Sequence, residues 1–167
     1  MQSLHAQIPF FEDSGLAGRI RENVYLFPSI ESVHVLAICL VVGSILAVDL
    51  RLLGVAYTGQ PVSRITTGIL PLTWCAFTVA LASGSLLFIS NATKYLANGH
   101  FDTKILLIGA AGLNMAIFHL MGAKDMSRWE NAAVLPAAAR LAGGLSILLW
   151  IGVVACGRWI GFTMEAQ

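Results

Sequence analysis

Four long apolar stretches separated by short polar segments organise the chain. The first begins around Tyr25 and Pro28, continues through VHVLAICLVVGSILAV and ends at Asp49, Leu50 and Arg51. An uncharged stretch from Ile65 to Thr93 follows; the third stretch runs from about Lys104 to Gly122 and the fourth from about Pro136 to Phe162. Each is long enough for the roughly 20-residue helix that crosses a hydrocarbon core of about 30 Å. The pattern predicts an all-α polytopic membrane protein, a four-transmembrane-helix bundle over residues 28–167 with spans near 30–52, 71–91, 104–122 and 136–162. Pro71 is expected to divide the second stretch, leaving Val62 to Leu70 as a short connecting turn or helix, because proline cannot donate the hydrogen bond required in mid-helix. Residues 1–27 mix apolar positions with Glu12, Asp13, Arg19, Arg21 and Glu22, the pattern of an amphipathic segment lying at the membrane interface.

Composition agrees: 57% of the residues are apolar, 11% are charged and the mean hydropathy is +0.77, whereas a soluble domain carries about 25% charge. The 167 residues leave room for four spans and short loops, with none for a separate soluble catalytic domain. A net charge of +1 gives no nucleic-acid footprint. Cys39, Cys75 and Cys156 lie inside apolar runs without CxxC or CxxCH spacing, which argues against a disulfide framework, a zinc knuckle or covalently attached haem. The N-terminus lacks a cleavable signal pattern, so the first helix is expected to be retained. An even number of spans puts both termini on one side. Lysines and arginines divide five against five between the two edges, and the acidic residues tip the expectation weakly toward periplasmic termini.

Two charge spacings suggest how the helices meet. Glu31 and Asp49 are eighteen residues apart, as are Arg140 and Arg158, and eighteen residues make five helical turns, about 27 Å. If the first and fourth helices run antiparallel, Glu31 would meet Arg158 at one membrane edge and Asp49 would meet Arg140 at the other. Gly112 with Ala116, Gly152 with Cys156, and Gly157 with Gly161 add small-xxx-small spacings that let backbones approach, within the bundle or in a homo-oligomer.

His34 and His119 are the intramembrane ionisable residues that no charge pair explains, and such residues are functional candidates by default. A neutral imidazole donates through one nitrogen and ligates through the other, the behaviour of a haem b ligand; the alternative is a hydrogen bond between packed helices. Rise along the helices puts the two histidines at different depths, against one shared haem. Two sites fit better. One groups His34, His100, Lys104 and Arg158; the other groups His119, Met115, Arg51 and Arg140, with a cation beside each histidine for the haem propionates. Each site would still need a sixth ligand, from His100, His5, methionine, water or another subunit.

Phe27, Pro28 and His34 through Asp49, Leu50, Arg51, Leu52, Leu53 and Gly54 resemble the first helix of a family of small four-helix bacterial inner-membrane proteins known only as a domain of unknown function. Leu70, Pro71, Trp74, Phe88, Phe101, Lys104, Asn114, His119, Arg140, Ser146 and Trp150 continue the likeness, as do Gly157, Arg158, Trp159 and Ile160. The resemblance implies a single compact domain, multi-pass in the bacterial inner (cytoplasmic) membrane, and brings no activity with it. From the residues, the leading expectation is a haem b protein passing electrons to or from quinone or a redox partner protein. A scaffold or accessory subunit without cofactor is the alternative, and a small oligomeric transporter the third reading. Paired carboxylates, a Gly-x-Ser-x-Gly elbow and a phosphate-binding glycine loop are all missing from the sequence.

Overall fold

The computed structural model describes residues 15–122, 132 and 135–165; His5, Glu12, Asp13 and most of the segment joining the last two spans lie outside them. Among the described residues six helices follow in order: α1 (Gly15–Glu22), α2 (Leu26–Leu53), α3 (Val62–Ser90), α4 (Ala92–Leu96), α5 (Gly99–Gly122) and α6 (Ala137–Glu165). Helices α2, α3, α5 and α6 are each long and apolar enough to cross a membrane. Their outward faces carry large apolar side chains such as Leu36, Leu81, Leu106 and Leu148, each more than half exposed. Water would penalise so continuous an apolar surface, whereas lipid accepts it.

Helix α2 is the hub. It packs against α3 on one side and α6 on another, and α6 in turn packs against α5; α3 and α5 scarcely touch. Cross-helix contacts show each adjoining pair to be antiparallel: His34 with Ser83 and Ser44 with Thr73 join α2 to α3, Asn114 with Ala142 and Asn98 with Thr163 join α5 to α6. The buried seams are built largely of small residues, including Ala37, Ser44, Ala76, Ser83, Ala111 and Ser146. With no water to expel between helices in a bilayer, close backbone approach and interhelical hydrogen bonds supply the association.

The first and last spans are neighbours and antiparallel, as the eighteen-residue spacings require, but neither expected ion pair forms. At Gly143 of α6 the backbones come so close that an added Cβ would lie 3.0 Å from Leu52 Cβ and 3.1 Å from the Asp49 carbonyl oxygen. That contact sets Asp49 level with Gly143 and Ser146, beyond Arg140. Ser146 supplies a side-chain hydrogen bond to the Asp49 carboxyl group, while Arg140 is exposed. At the other edge Arg158 lies 4.4 Å from the centroid of the Phe162 ring, and Glu31 is exposed beside the α4 region. Exposed ion pairs contribute about 0–1 kcal/mol, too little to override the glycine contact.

Pro71 brings a second correction. α3 is helical from Val62 to Ser90 with Pro71 inside it, so no connecting turn precedes the span. Breaking a helix in hydrocarbon would strand several backbone groups, whereas a proline removes one hydrogen bond, and membrane helices tolerate it with help from nearby hydroxyls. The hydroxyls of Thr66, Thr67 and Thr73 near it bond the carbonyls of Val62, Ser63 and Ile69, none of them the Thr67 carbonyl that an N–H at position 71 would have met. α1 packs onto α3 and α2 with Ala17 and Ile20 buried, while Leu16 is more than half exposed.

Between α2 and α3, Gly54 takes a left-handed φ of 77° and ends the helix, with Val55 N–H donating back to the Leu50 carbonyl. Arg51, completely buried, donates from Nε to the Gln60 carbonyl at 2.8 Å and so ties down the loop.

Because Gly143 fixes the register, Gly143→Ala should lower stability by about 1–3 kcal/mol, measured by unfolding in detergent micelles. Exchanging Asp49 and Arg140 should give no recovery over the two single changes.

Candidate functional site

Because α3 and α5 stand apart, a cleft of about 300 Å³ lies between them, with α2 and α6 behind it. Each helix contributes a stripe at helical spacing: Val41, Ile45 and Val48 from α2; Thr66, Leu70, Thr73 and Phe77 from α3; Ile108, Gly112, Met115 and His119 from α5; Ala142, Ser146 and Trp150 from α6. Trp74 also lines it and meets Phe77 edge to face at 6.0 Å. A cluster of Leu52, Val62, Leu135 and Ala139, with Val48 and Phe118 against it, packs nearby at the end where α2 finishes.

The cleft is almost wholly apolar, and its few polar groups are mostly committed. Asn114 donates from Nδ2 to the Ala142 carbonyl at 3.0 Å, and Thr73 Oγ1 donates to Ser44 and Ile69. Asp49 is 5% exposed; beyond the bond from Ser146, its Oδ2 is buried and has no hydrogen-bond partner among the described residues. An unmet buried carboxylate oxygen is costly, and its retention calls for an explanation. His119 bonds through Nδ1 to the Met115 carbonyl at 3.0 Å. Since a carbonyl only accepts, Nδ1 carries the proton, and in the neutral ring Nε2 keeps a lone pair.

Of the group expected around His119, the cleft brings together His119 and Met115. The Arg51 side chain, from the last turn of α2, is held against the α2–α3 loop and Arg140 is exposed, so neither lines it. Asp49, Ser146, Trp74 and Trp150 were not singled out for this site from the sequence. Asp49 went to a charge pair there, although Ala142, Ser146 and Trp150 recur every four residues on α6 and mark one face.

The second expected group is dispersed. His34 Nδ1 lies 3.0 Å from Ser83 Oγ; because the Ser83 hydroxyl donates to the Val79 carbonyl at 2.6 Å, His34 is the donor of that bond. The ring fits over Gly84, where an added Cβ would come within 2.8 Å of Cε1. Lys104 is near enough for its charge to act on His34, and its Nζ sits 3.6 Å from where a Gly157 Cβ would be. His100 is exposed against Trp159, with ring centroids 6.2 Å apart, and Arg158 rests on Phe162. His34 and His119 thus occupy separate surroundings. Among the described residues no three of His, Cys, Asp and Glu converge as a metal site.

The family described as "Family of unknown function (DUF6644)" matches residues 10–163. The chain belongs to that family. It matches no curated protein and no solved structure.

Above His34, Phe88 of α3, Tyr95 of α4 and Phe101 of α5 form an aromatic cluster with centroids 5.5–6.0 Å apart, Tyr95 lying outside the spans. Burial, and next the charge of Glu31, raise the Tyr95 phenol above its ordinary value. The folded state therefore disfavours the phenolate. The stabilising contribution is complete below the unfolded pKa of about 10 and is lost as pH rises through the higher folded value. Ultraviolet titration should show one tyrosine ionising late, and Glu31→Gln should bring its midpoint down.

Replacing the His34 contact surface tests its role in packing. Ser83→Ala should cost about 0.6 kcal/mol, the average for interhelical hydrogen bonds in membranes, whereas Gly84→Val should cost more by displacing the imidazole; both are read by unfolding in micelles.

Proposed function

We propose that this chain binds a lipid-soluble electron carrier of the quinone class in the cleft between α3 and α5, and through it takes part in electron transfer in a bacterial inner membrane. One observation carries the reading: an apolar, aromatic-lined cleft between two membrane helices with a confined polar patch at Asp49, Ser146 and His119. A ring with oxygen substituents and an isoprenoid tail has the matching distribution, with a polar head for the patch and a tail for the apolar walls and the bilayer. The volume of about 300 Å³ is at the small end of ligand pockets, which suits a single substituted ring. Electrons would reach the ring from a partner protein or a second copy of the chain.

His119 gives a second reading, haem b, one specific observation in its favour. Nδ1 is tied to the Met115 carbonyl, which leaves Nε2 for an axial bond, and Gly112 on the same stripe has open space at its Cβ position. The rest of the cleft does not fit haem well. Propionates need cations, and among the described residues the lining contains no lysine or arginine but does contain the Asp49 carboxylate. The quinone reading therefore leads.

Trp74 and Trp150 line the cleft, so a bound quinone should quench indole fluorescence. Purified protein titrated with a short-chain benzoquinone should show saturable quenching, reduced in Trp74→Phe and Trp150→Phe. A reduced-minus-oxidised spectrum with sharp α and β bands that vanish in His119→Ala would favour haem. A colourless protein with no saturable quenching would leave a scaffold role.

A further inference from the structure

We infer that the cleft takes its ligand in the reduced, hydroxyl-bearing form, with Asp49 Oδ2 and His119 Nε2 as the two acceptors that select a quinol over a quinone; this rests on the quinone-class reading above. The donor and acceptor inventory leads there. The hydroxyls of Ser146 and Thr73 and one N–H of Asn114 are spent on protein acceptors. What remains uncommitted on Asp49 and His119 accepts. Oδ2 of Asp49 is buried with no partner among the described residues, and His119 offers Nε2 as a lone pair once Nδ1–H has been given to Met115.

A quinone carbonyl brought to those two atoms would set lone pair against lone pair. A quinol hydroxyl would donate to either, and a bond to a carboxylate is stronger than one between neutral groups. The indoles of Trp74 and Trp150, which also line the cleft, do not discriminate, because a hydroxyl oxygen accepts an indole N–H as a carbonyl does. Asp49 lies toward the C-terminal end of α2 and His119 toward that of α5, and the two helices run parallel because each is antiparallel to α6. A ring head between them leaves its tail the apolar remainder of the cleft.

The test uses the full chain in nanodiscs of zwitterionic phospholipid, under anaerobic conditions, with a short-chain benzoquinone and its quinol as probes and indole fluorescence and equilibrium dialysis as readouts. The quinol should bind tighter than the quinone by on the order of tenfold, the value of one charge-assisted hydrogen bond. Asp49→Asn keeps the shape and replaces an acceptor oxygen with an amide donor, so the preference should disappear or reverse. His119→Phe removes the second acceptor and should reduce the preference while leaving Asp49 in place, which provides an independent arm should Asp49→Asn fail to fold. Equal binding of the two forms, or a quinol preference that survives both substitutions, overturns the assignment while leaving the quinone-class site standing. Failure of both forms to bind overturns both. Saturable binding of tetraphenylphosphonium that excludes the quinol and is lost in Asp49→Asn also overturns it, because the carboxylate would then serve a lipophilic cation.

Discussion

The approach of α2 to α6 at Gly143 governs the rest of the architecture. In a bilayer, helices gain little by hiding apolar side chains from one another, since lipid receives those side chains equally well. What distinguishes one register from the next is how near two backbones can come. Gly143 lets Leu52 and the Asp49 backbone settle against α6, and this contact carries Asp49 to Ser146, leaves Arg140 exposed and aligns the stripes that form the cleft. A side chain at position 143 would hold the helices apart.

The spans were legible because an apolar run of sufficient length in a chain with 11% charged residues has few alternatives. The adjacency of the first and last spans was legible from Glu31, Asp49, Arg140 and Arg158, although for the wrong reason: charges at matched spacing reported the parallel lengths of two helices and not their register. Register depends on one glycine whose importance comes from its neighbour across the interface, which a single sequence does not display. Pro71 misled in a related way. Its rule comes from water, where a broken helix is resolvated; in hydrocarbon the intact helix around it is the cheaper state.

The candidate site was half legible. His119 and Met115 stand out because an imidazole and a thioether one turn apart on an apolar helix are chemically distinctive. Counting rise along the helices also separated His34 from His119. Arg51 did not go where its charge suggested, since a guanidinium at a helix end can serve as well in closing a loop, here on the Gln60 carbonyl. The role of Asp49 depended on its being buried without a full set of partners, a property of assembled helices.

The contact pattern also has a mechanical consequence. α2 with α3 and α5 with α6 are two antiparallel hairpins, joined chiefly where α2 meets α6, while α3 and α5 face each other across open space. Such a body resembles a book whose spine is the small-residue seam and whose covers are lipid-facing helices. Phe88 of α3 stacks on Phe101 of α5 at 5.5 Å and pins the covers together at one end, so any widening of the space between them is confined to the opposite end. The lateral pressure of the surrounding lipid would bear on the width of the cleft at that end.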